Sequence, residues 1–517
     1  MKKTNQNKND IEPREDELID CELDDLNAEI EAKKEAPKDG LVSMTSGKIK
    51  LFHDQSNEAF AKIKTSNGNR IERINSKSFR EWLGYIYYSQ NGKVANSESI
   101  KSAINTLSGE ARYDGKKYEL HNRVAKYEDA IWYDLCDEQW RAIKITDKGY
   151  KIVKNPPILF RRYSHQLPQV DPTKRSHYKD IEKLKRYFNV INNDAWLLTK
   201  VWIIYALVPD SPHPIPVDYG GQGSGKSIKE KISRKLIDPS EIEVMEFPSN
   251  KNELIQALSH HWFLPLDNIS FIHDSISDLL CKAVTGAGFT KRELYSDDDD
   301  IIYKFKRCIS INGINIPVQK PDLLDRCLLI EFKKIPKNKR LTEKEIWKTF
   351  EKNRAKIFGS MLKILSRALS LKKNISVKYK PRMADFAEWG EAIAQAMGYG
   401  KNVFLKAYLG NIKSQHVEAI EAHLVGQTIK EMINNRNQWS GTPTQLLEEL
   451  NVVAENLKIN TNDKGWPKGP GTLTKHINEI KDNLAELKIL AHYNRKPNQR
   501  TWTIKKKTVK KIKKTKK

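Results

Sequence analysis

The spacing of apolar residues changes several times along the chain. Residues 1–45 are polar and partly acidic, carry no stripe able to form a core, and read as a disordered arm. From 46 to 170 two helical stretches, RIERINSKSFREWLGYIYYSQ and KSAINTLSGEAR, come first. Three stretches follow in which Tyr, Trp, Ile and Val alternate with polar residues: YELHNRVAKYEDAIWYDL, WRAIKIT and YKIVKNPPILFRR. Alternation between turns predicts strands, so this region is expected to be a small α+β module. QLPQVDPTKRSHYKD, residues 166–180, reads as a Pro-containing linker. Helical periodicity is then predicted from Ile181 to Val208. Strands and helices alternate from Ile215 to about Leu371, the pattern of an α/β layer with a mainly parallel sheet, and 171–371 is taken as one core. Residues 372–437 read as helices, 438–504 as a last compact unit and 505–517 as a low-complexity basic tail.

Composition narrows the function classes. With 38% hydrophobic and 30% charged residues, the 517-residue chain is polar yet able to bury a core, and its length suggests two to four domains. The longest apolar stretch, WLLTKVWIIYALV, is too short to span a bilayer and contains Lys200. No charged-then-apolar leader opens the chain, which points away from secretion and toward the cytoplasm, without a membrane partner. The five cysteines form no CxxC pair, so neither a disulfide framework nor a structural zinc site is expected. A net charge of +24 fits a polyanionic partner such as nucleic acid, and equally a Lys-rich proteome.

The sharpest motif is GGQGSGKS: Gly220, Gly221, Gln222, Gly223, Ser224, Gly225, Lys226 and Ser227. It fits the phosphate-loop pattern G-x-x-x-x-G-K-[ST], and it lies between a strand-like HPIPVDY and a helix-like SIKEKISRKLI. Glycines let backbone N–H groups close round phosphates, and the helix dipole adds positive potential. In that chemistry Lys226 reaches the β and γ phosphates of ATP, and Ser227 ligates Mg²⁺. Asp267 ends the apolar run Trp262–Leu266, where an acid can hold the same metal; the plain alternative is a strand-ending Asp-Asn turn. Asn268 follows, and an amide cannot act as a general base, which leaves Asp274 and Glu293 as candidates for that task. Asn312 ends the strand-like RCISIN and is suited to hold an attacking water, although Asn-Gly is also a common turn pair. Arg326 precedes the buried run CLLIEF; it either reaches a neighbouring subunit's γ-phosphate or pairs with Asp322 or Asp325.

Phosphate loop, acidic strand, Asn strand and Arg before the last strand, in this order, resemble the AAA+ ATPases. The texture of LDNIS, SDLLCKAVTGAGFTKRELYSDDDD, INGI and PDLLDRCLLIEF is similar to helicase-type ATPases of prophages and integrative elements. Those are related to superfamily III viral helicases and to the helicase half of phage primase–helicases. The resemblance spans roughly residues 100–504. It implies an AAA+ core, nucleotide and Mg²⁺ roles for Lys226 and Ser227, the second acidic motif at Asp267, sensor 1 at Asn312 and an arginine finger at Arg326. It also implies a homo-hexameric ring threaded by single-stranded DNA. Asn268 departs from the pattern and leaves the catalytic base unassigned.

Two regions are candidates for DNA contact. FTKRELY and IIYKFKR alternate around the polar turn SDDDD, a β-hairpin signal, which makes Lys291, Arg292, Lys304 and Lys306 candidate phosphate contacts. A charged solvent-facing hairpin is the simpler alternative, and Arg292 is equally placed to act on a neighbour's nucleotide. In the last unit, two helices and two alternating strands around NRKPNQR follow the winged-helix order, as in the same prophage proteins. Lys468, Lys475, His476, Arg495, Lys496 and Arg500 would then face duplex phosphates, unless the unit docks protein instead. The expected function is an ATP-dependent DNA helicase replicating a prophage or other mobile element. The alternative is an ATP-regulated, DNA-binding initiator that does not unwind.

Overall fold

The computed structural model describes residues 40–507 except 67, 249, 287, 293–299, 304–305, 379, 464 and 497–498. Residues 1–39 of the expected arm and the end of the basic tail therefore lie outside the described residues, as does the tip of the expected hairpin with Glu293 and Lys304. Residues 40–45, also expected in the arm, are ordered by packing instead: Ser43–Thr45 make a 3₁₀ turn, and Leu41 and Thr45 are buried. Two compact units emerge, one of residues up to Leu120 with Pro157–Arg161, the other holding everything else. The stretch 46–170 expected as one module is thus shared between them.

The smaller unit is a sheet backed by two helices. Strands β1 (Ile49–His53), β2 (Ala59–Thr65) and β3 (Gly68–Arg73) form an antiparallel meander. Helices α1 (Lys77–Asn91) and α2 (Ser97–Tyr113) follow, and β4 (Lys116–Lys117) returns parallel to β1. Residues 70–73 were expected to begin a helix and instead finish β3. The helix starts only where the Ser76 hydroxyl accepts from the Phe79 N–H, supplying the cap that residues 70–75 lack. Phe79, Leu83, Ile104 and Leu107 pack with Ala61 and Ile63 to make this unit's core.

The larger unit begins with an antiparallel meander of β5 (Val124–Tyr127), β6 (Ala130–Asp134), β7 (Ala142–Thr146) and β8 (Gly149–Val153). It is fastened by fully buried polar contacts. Arg123 donates to Asp238 Oδ1 at 2.8 Å and to the Pro239 carbonyl at 2.9 Å, and the Tyr133 hydroxyl donates to the Ile237 carbonyl at 3.0 Å. The helix expected from Ile181 is interrupted. A 3₁₀ turn ends at Arg186, and α3 (Asn193–Tyr205) restarts where Asn192 caps Ala195.

The central sheet holds β9 (Ile215–Tyr219), β10 (Phe263–Leu266), β13 (Cys308–Asn312) and β14 (Cys327–Glu331), in the order β10–β13–β9–β14 and all parallel. Helices α4 (Lys226–Ile237), α5 (Lys251–His260), α6 (Asp274–Thr285) and α7 (Pro321–Leu324) lie between the strands in sequence. The hairpin β11 (Phe289–Arg292) and β12 (Asp300–Tyr303) is inserted before β13. Nearly every strand residue is buried because both faces are covered, which is why these strands read as continuous apolar runs. One face meets Trp202, Phe358, Met361 and Phe386; the other meets Leu254, Leu258, Leu280 and Val284. Beyond β10, Met245 makes one isolated parallel bridge to Leu266.

Helices α8 (Glu343–Lys372), α9 (Ala384–Ala396), α10 (Val403–Glu421) and α11 (Leu424–Arg436) follow. α8 is launched by a reciprocal cap between Thr342 and Glu345. The chain ends in β15 (Gln438–Gly441), α12 (Pro443–Asn456), α13 (Pro470–Glu486), β16 (Ile489–Lys496) and β17 (Gln499–Lys506), with the antiparallel order β15–β17–β16. Lys505 and Lys506, expected in the tail, finish β17. The core of this region, with Leu446, Leu450, Ile477, Ile480, Trp502 and Ile504, also takes in Ile429 and Met432 of α11. α11 therefore packs into the carboxyl-terminal core. Among the described residues no helix is long and apolar enough to cross a membrane.

Candidate nucleotide site

The loop from Gly220 to Ser227 leaves the carboxyl end of β9 and opens α4. Its glycines answer to geometry. Gly220 has φ +139°, and a Cβ there would lie 2.4 Å from the Phe332 carbonyl oxygen. Gly225 caps α4 at φ +88°, in the left-handed region. Lys226 is wound back into the loop, its Nζ donating to the Gly220 carbonyl (2.7 Å), the Gly221 carbonyl (3.2 Å) and Ser224 Oγ (3.2 Å). Partial burial lowers its pKa, against the opposing pull of Asp218 and Asp267. Gln222 and Gly221 are on the exposed side of the loop.

Three of the residues singled out from sequence converge on this loop. Ser227 Oγ donates to Asp267 Oδ1 at 3.0 Å, so the hydroxyl and the carboxylate form one oxygen pair. Asn312 stands at the end of β13, paired in register with Asp218 of β9. Its Oδ1 accepts from the Asn268 N–H at 3.0 Å, which holds the turn after β10, and Asn268 itself takes a left-handed φ of +58°. The Asn312 Nδ2 is buried and has no hydrogen-bond partner among the described residues, leaving a donor free for an added acceptor.

Beneath the loop lies a group that sequence reading missed. Asp218, Lys229 and Glu230 are all fully buried, with Lys229 Nζ 2.7 Å from Asp218 Oδ2 and 3.3 Å from Glu230 Oε1. Ser310 of β13 donates to Glu230 Oε2 at 2.5 Å. Burial acts to lower the Lys229 pKa, but Asp218 and Glu230 outweigh it and the net direction is up. Burial raises the Glu230 pKa, against the pull of Lys229, and so favours its neutral form. The available signal was an acid inside the apolar run IPVDY, two residues before the loop.

Arg326 lies elsewhere. Ile215 pairs with Cys327, so Arg326 sits at the amino end of β14, opposite the loop-bearing end. Five residues of strand at about 3.3 Å each put it roughly 15 Å from its own loop. Its guanidinium is 2.7 Å from Asp322 Oδ1, which also accepts from the half-exposed Arg382 at 2.7 Å, and Arg326 is only 9% exposed.

The candidate DNA contacts are dispersed. Lys291 and Arg292 are on β11, and Lys306 Nζ donates to the Asp210 carbonyl at 2.7 Å. Lys475 on α13 is 77% exposed. Arg495 and Arg500 face each other in register across the β16–β17 hairpin, both exposed. Lys468 Nζ donates to the Thr461 carbonyl at 2.9 Å. His476, expected to face phosphates, turns to His423 instead. The Gly426 N–H points at His423 Nδ1 (3.3 Å), so the proton sits on Nε2, 3.3 Å from His476 Nδ1. Burial, and then His476, lower the His423 pKa to about 4. Glu479 stands close by, its carboxylate within 4.8 Å of the two ring nitrogens.

Residues 181–415 match the family described as the actinomycete integrative conjugative element replication protein. Residues 425–515 match the C-terminal domain of the same replication protein, AICE RepA. The similarity is to a replication protein of a mobile element. The boundary between the two matches falls beside the start of α11, in keeping with the packing of that helix into the carboxyl-terminal core. No curated protein matches the chain. Among solved structures, an apo form of the NrS-1 C-terminal region is 15% identical with a TM-score of 0.41, over 91% of this chain and 100% of that one. A JCV helicase structure is 12% identical with a TM-score of 0.21, over 46% of this chain and 70% of that one.

Proposed function

We propose that this protein is an ATP-dependent DNA helicase, a ring-forming AAA+ motor in the replication of an integrative or prophage element. The observation that carries the reading is the Ser227–Asp267 oxygen pair at 3.0 Å, at the mouth of a glycine loop on the carboxyl edge of a parallel sheet. Two hard oxygen donors there suit Mg²⁺, and the loop amides with the α4 dipole suit the phosphates of ATP. Mg²⁺ bound there would neutralise phosphate charge. Lys226 would exchange its loop carbonyls for β/γ-phosphate oxygens, and the unpartnered Asn312 Nδ2 would orient a water or phosphate oxygen. Arg326, too far from its own loop, would serve a neighbouring subunit's nucleotide, after loosening from Asp322. The order α12, α13 and the β16–β17 hairpin supports a winged-helix reading of the carboxyl-terminal unit.

The test is unwinding of forked DNA that requires ATP and is lost in Lys226→Ala. Arg326→Ala should bind ATP normally and hydrolyse it slowly, and mixing it with Lys226→Ala should restore partial activity at mixed interfaces. No rescue in rings shown to be mixed would remove the role between subunits. A second reading, an ATP-regulated initiator that assembles on DNA without unwinding, is favoured by Asn268, where an acid would serve as base. ATP binding and DNA binding without unwinding would select it.

A further inference from the structure

After β14 the chain runs FKKIPKNKR, residues 332–340, with five basic side chains in nine residues. This strap is stitched to the phosphate loop. The Phe332 N–H donates to the Tyr219 carbonyl at 2.8 Å, and the Ile335 N–H to the Gly223 carbonyl at 3.1 Å. Ile335 Cδ1 lies 3.3 Å from where a Cβ would stand on Gly225. At the end of the strap the Arg340 guanidinium rests on the middle of the loop: a Cβ built on Gly223 would be 3.1 Å from Arg340 Nη2 and 3.6 Å from Cζ. Gly223 has φ +72° and no side chain, and both features leave room for that guanidinium.

The cations around the loop differ in what occupies them. Lys226 is held by three oxygens of its own loop and Lys229 by two buried acids. Among the described residues no carboxylate lies within ion-pair distance of Arg340, whose one contact of this kind is Nε to the Ile335 carbonyl at 3.5 Å, at the limit of a hydrogen bond. An exposed guanidinium fork without an acid partner, lying beside backbone amides that would cradle phosphate, is suited to a bidentate phosphate contact.

We propose that Arg340 binds the nucleotide seated in its own subunit's loop, gripping the α- and β-phosphates. The step rests on the phosphate-loop reading above. In such loops the lysine serves the β/γ end, and the glycine-rich backbone serves the α/β end. Gly223 belongs to the backbone part, so Arg340 acts on the portion that ATP and ADP share.

The experiment measures dissociation constants of ATP and ADP with Mg²⁺ on the full chain. Arg340→Ala should weaken both about tenfold or more, by equal factors, and Arg340→Lys should recover part of the loss because it keeps the charge without the fork. The double variant Lys337→Ala, Lys339→Ala removes two strap charges and should leave both constants unchanged. Unaltered ADP binding in Arg340→Ala overturns the proposal, as does a loss confined to ATP, or an equal loss in the Lys337/Lys339 variant. Lys226→Ala separates the two levels. If it binds ATP as tightly as the parent, the phosphate-loop reading fails and takes this inference with it. If it binds poorly while Arg340→Ala binds well, only the role of Arg340 falls.

Discussion

The phosphate loop and the carboxyl-terminal hairpin are both basic, but they hold their charge in opposite ways. At the loop, Lys226 is fixed by three oxygens and Lys229 is enclosed between two buried acids. On the hairpin, Arg495 and Arg500 are exposed and face each other across two strands. Enclosed charge acts through position, because burial makes each misplaced group costly. Exposed charge acts through number, and salt screens it. Substitutions at the loop should therefore be few and decisive, whereas those at the hairpin should be graded.

The largest effect is expected from Lys226→Ala. It should reduce ATP turnover by on the order of 10³-fold, in line with the loss of one preorganised charge on a transferring phosphoryl group. The melting temperature should stay near that of the parent, since Lys226 touches the loop and no core residue. Parent-like turnover would end the comparison, for the loop would then be a turn. Asp267→Asn should keep nucleotide binding and lose Mg²⁺-dependent hydrolysis, because the Ser227 hydroxyl would face an amide.

Next come the residues under the loop. Lys229→Ala leaves Asp218 and Glu230 buried without their cation and should cost about 3–5 kcal/mol in urea unfolding. Glu230→Gln should cost less, because it keeps the shape of the side chain and burial already pushes Glu230 toward its neutral form. Similar costs for the two variants would mean that Glu230 is ionised in the folded state, and the buried group would need a different charge assignment.

What was legible in the sequence follows the same division. The loop was readable because its eight residues are contiguous and its glycines at 220, 223 and 225 take the positive φ that the turn requires. Asp267 and Asn312 were readable because they end apolar runs, and the sheet brings those ends beside the loop. Arg123 with Asp238, 115 residues apart, could not be read, since only the packed meander brings them within 2.8 Å. Arg340 was hidden for a different reason: within KKIPKNKR nothing local distinguishes the one cation that lies on Gly223. The expected helix at 70–75 failed because apolar spacing alone does not supply a cap, which enters only with Ser76.

A smaller effect concerns pH. His213 is fully buried, and burial lowers its pKa from 6.5 to about 4. The unfolded chain takes up this proton near pH 6.5 and the folded one only near 4, so between those values the unfolded state binds more protons. His213 thus leaves stability intact above pH 6.5 and subtracts from it as pH falls, by on the order of 2 kcal/mol at pH 5. Urea titrations at pH 7, 6 and 5 check this. His213→Gln should flatten the dependence, and an unchanged slope would assign it to other groups.

The smallest effects belong to the exposed charges and test the other half of the comparison. If the hairpin binds duplex DNA through counterion release, the logarithm of the affinity falls linearly with that of salt, by about 0.9 for each phosphate neutralised. Replacing Arg495 and Arg500 by Ala should then flatten the slope by up to about 2, and basal ATP turnover should not change, since neither residue touches the loop. Deleting 508–517 removes six lysines but spares β17, whose last residues Lys505 and Lys506 pair with Gln438, Leu490 and Ile489. That deletion should flatten the slope without altering any sequence preference, because lysines contacting phosphate carry no base readout. A change in preference would show that exposed charge here is positioned as carefully as the charge in the loop. Unchanged slopes in both variants would mean that the +24 charge is general to the chain, and DNA contact would then have to be sought at the β11–β12 hairpin.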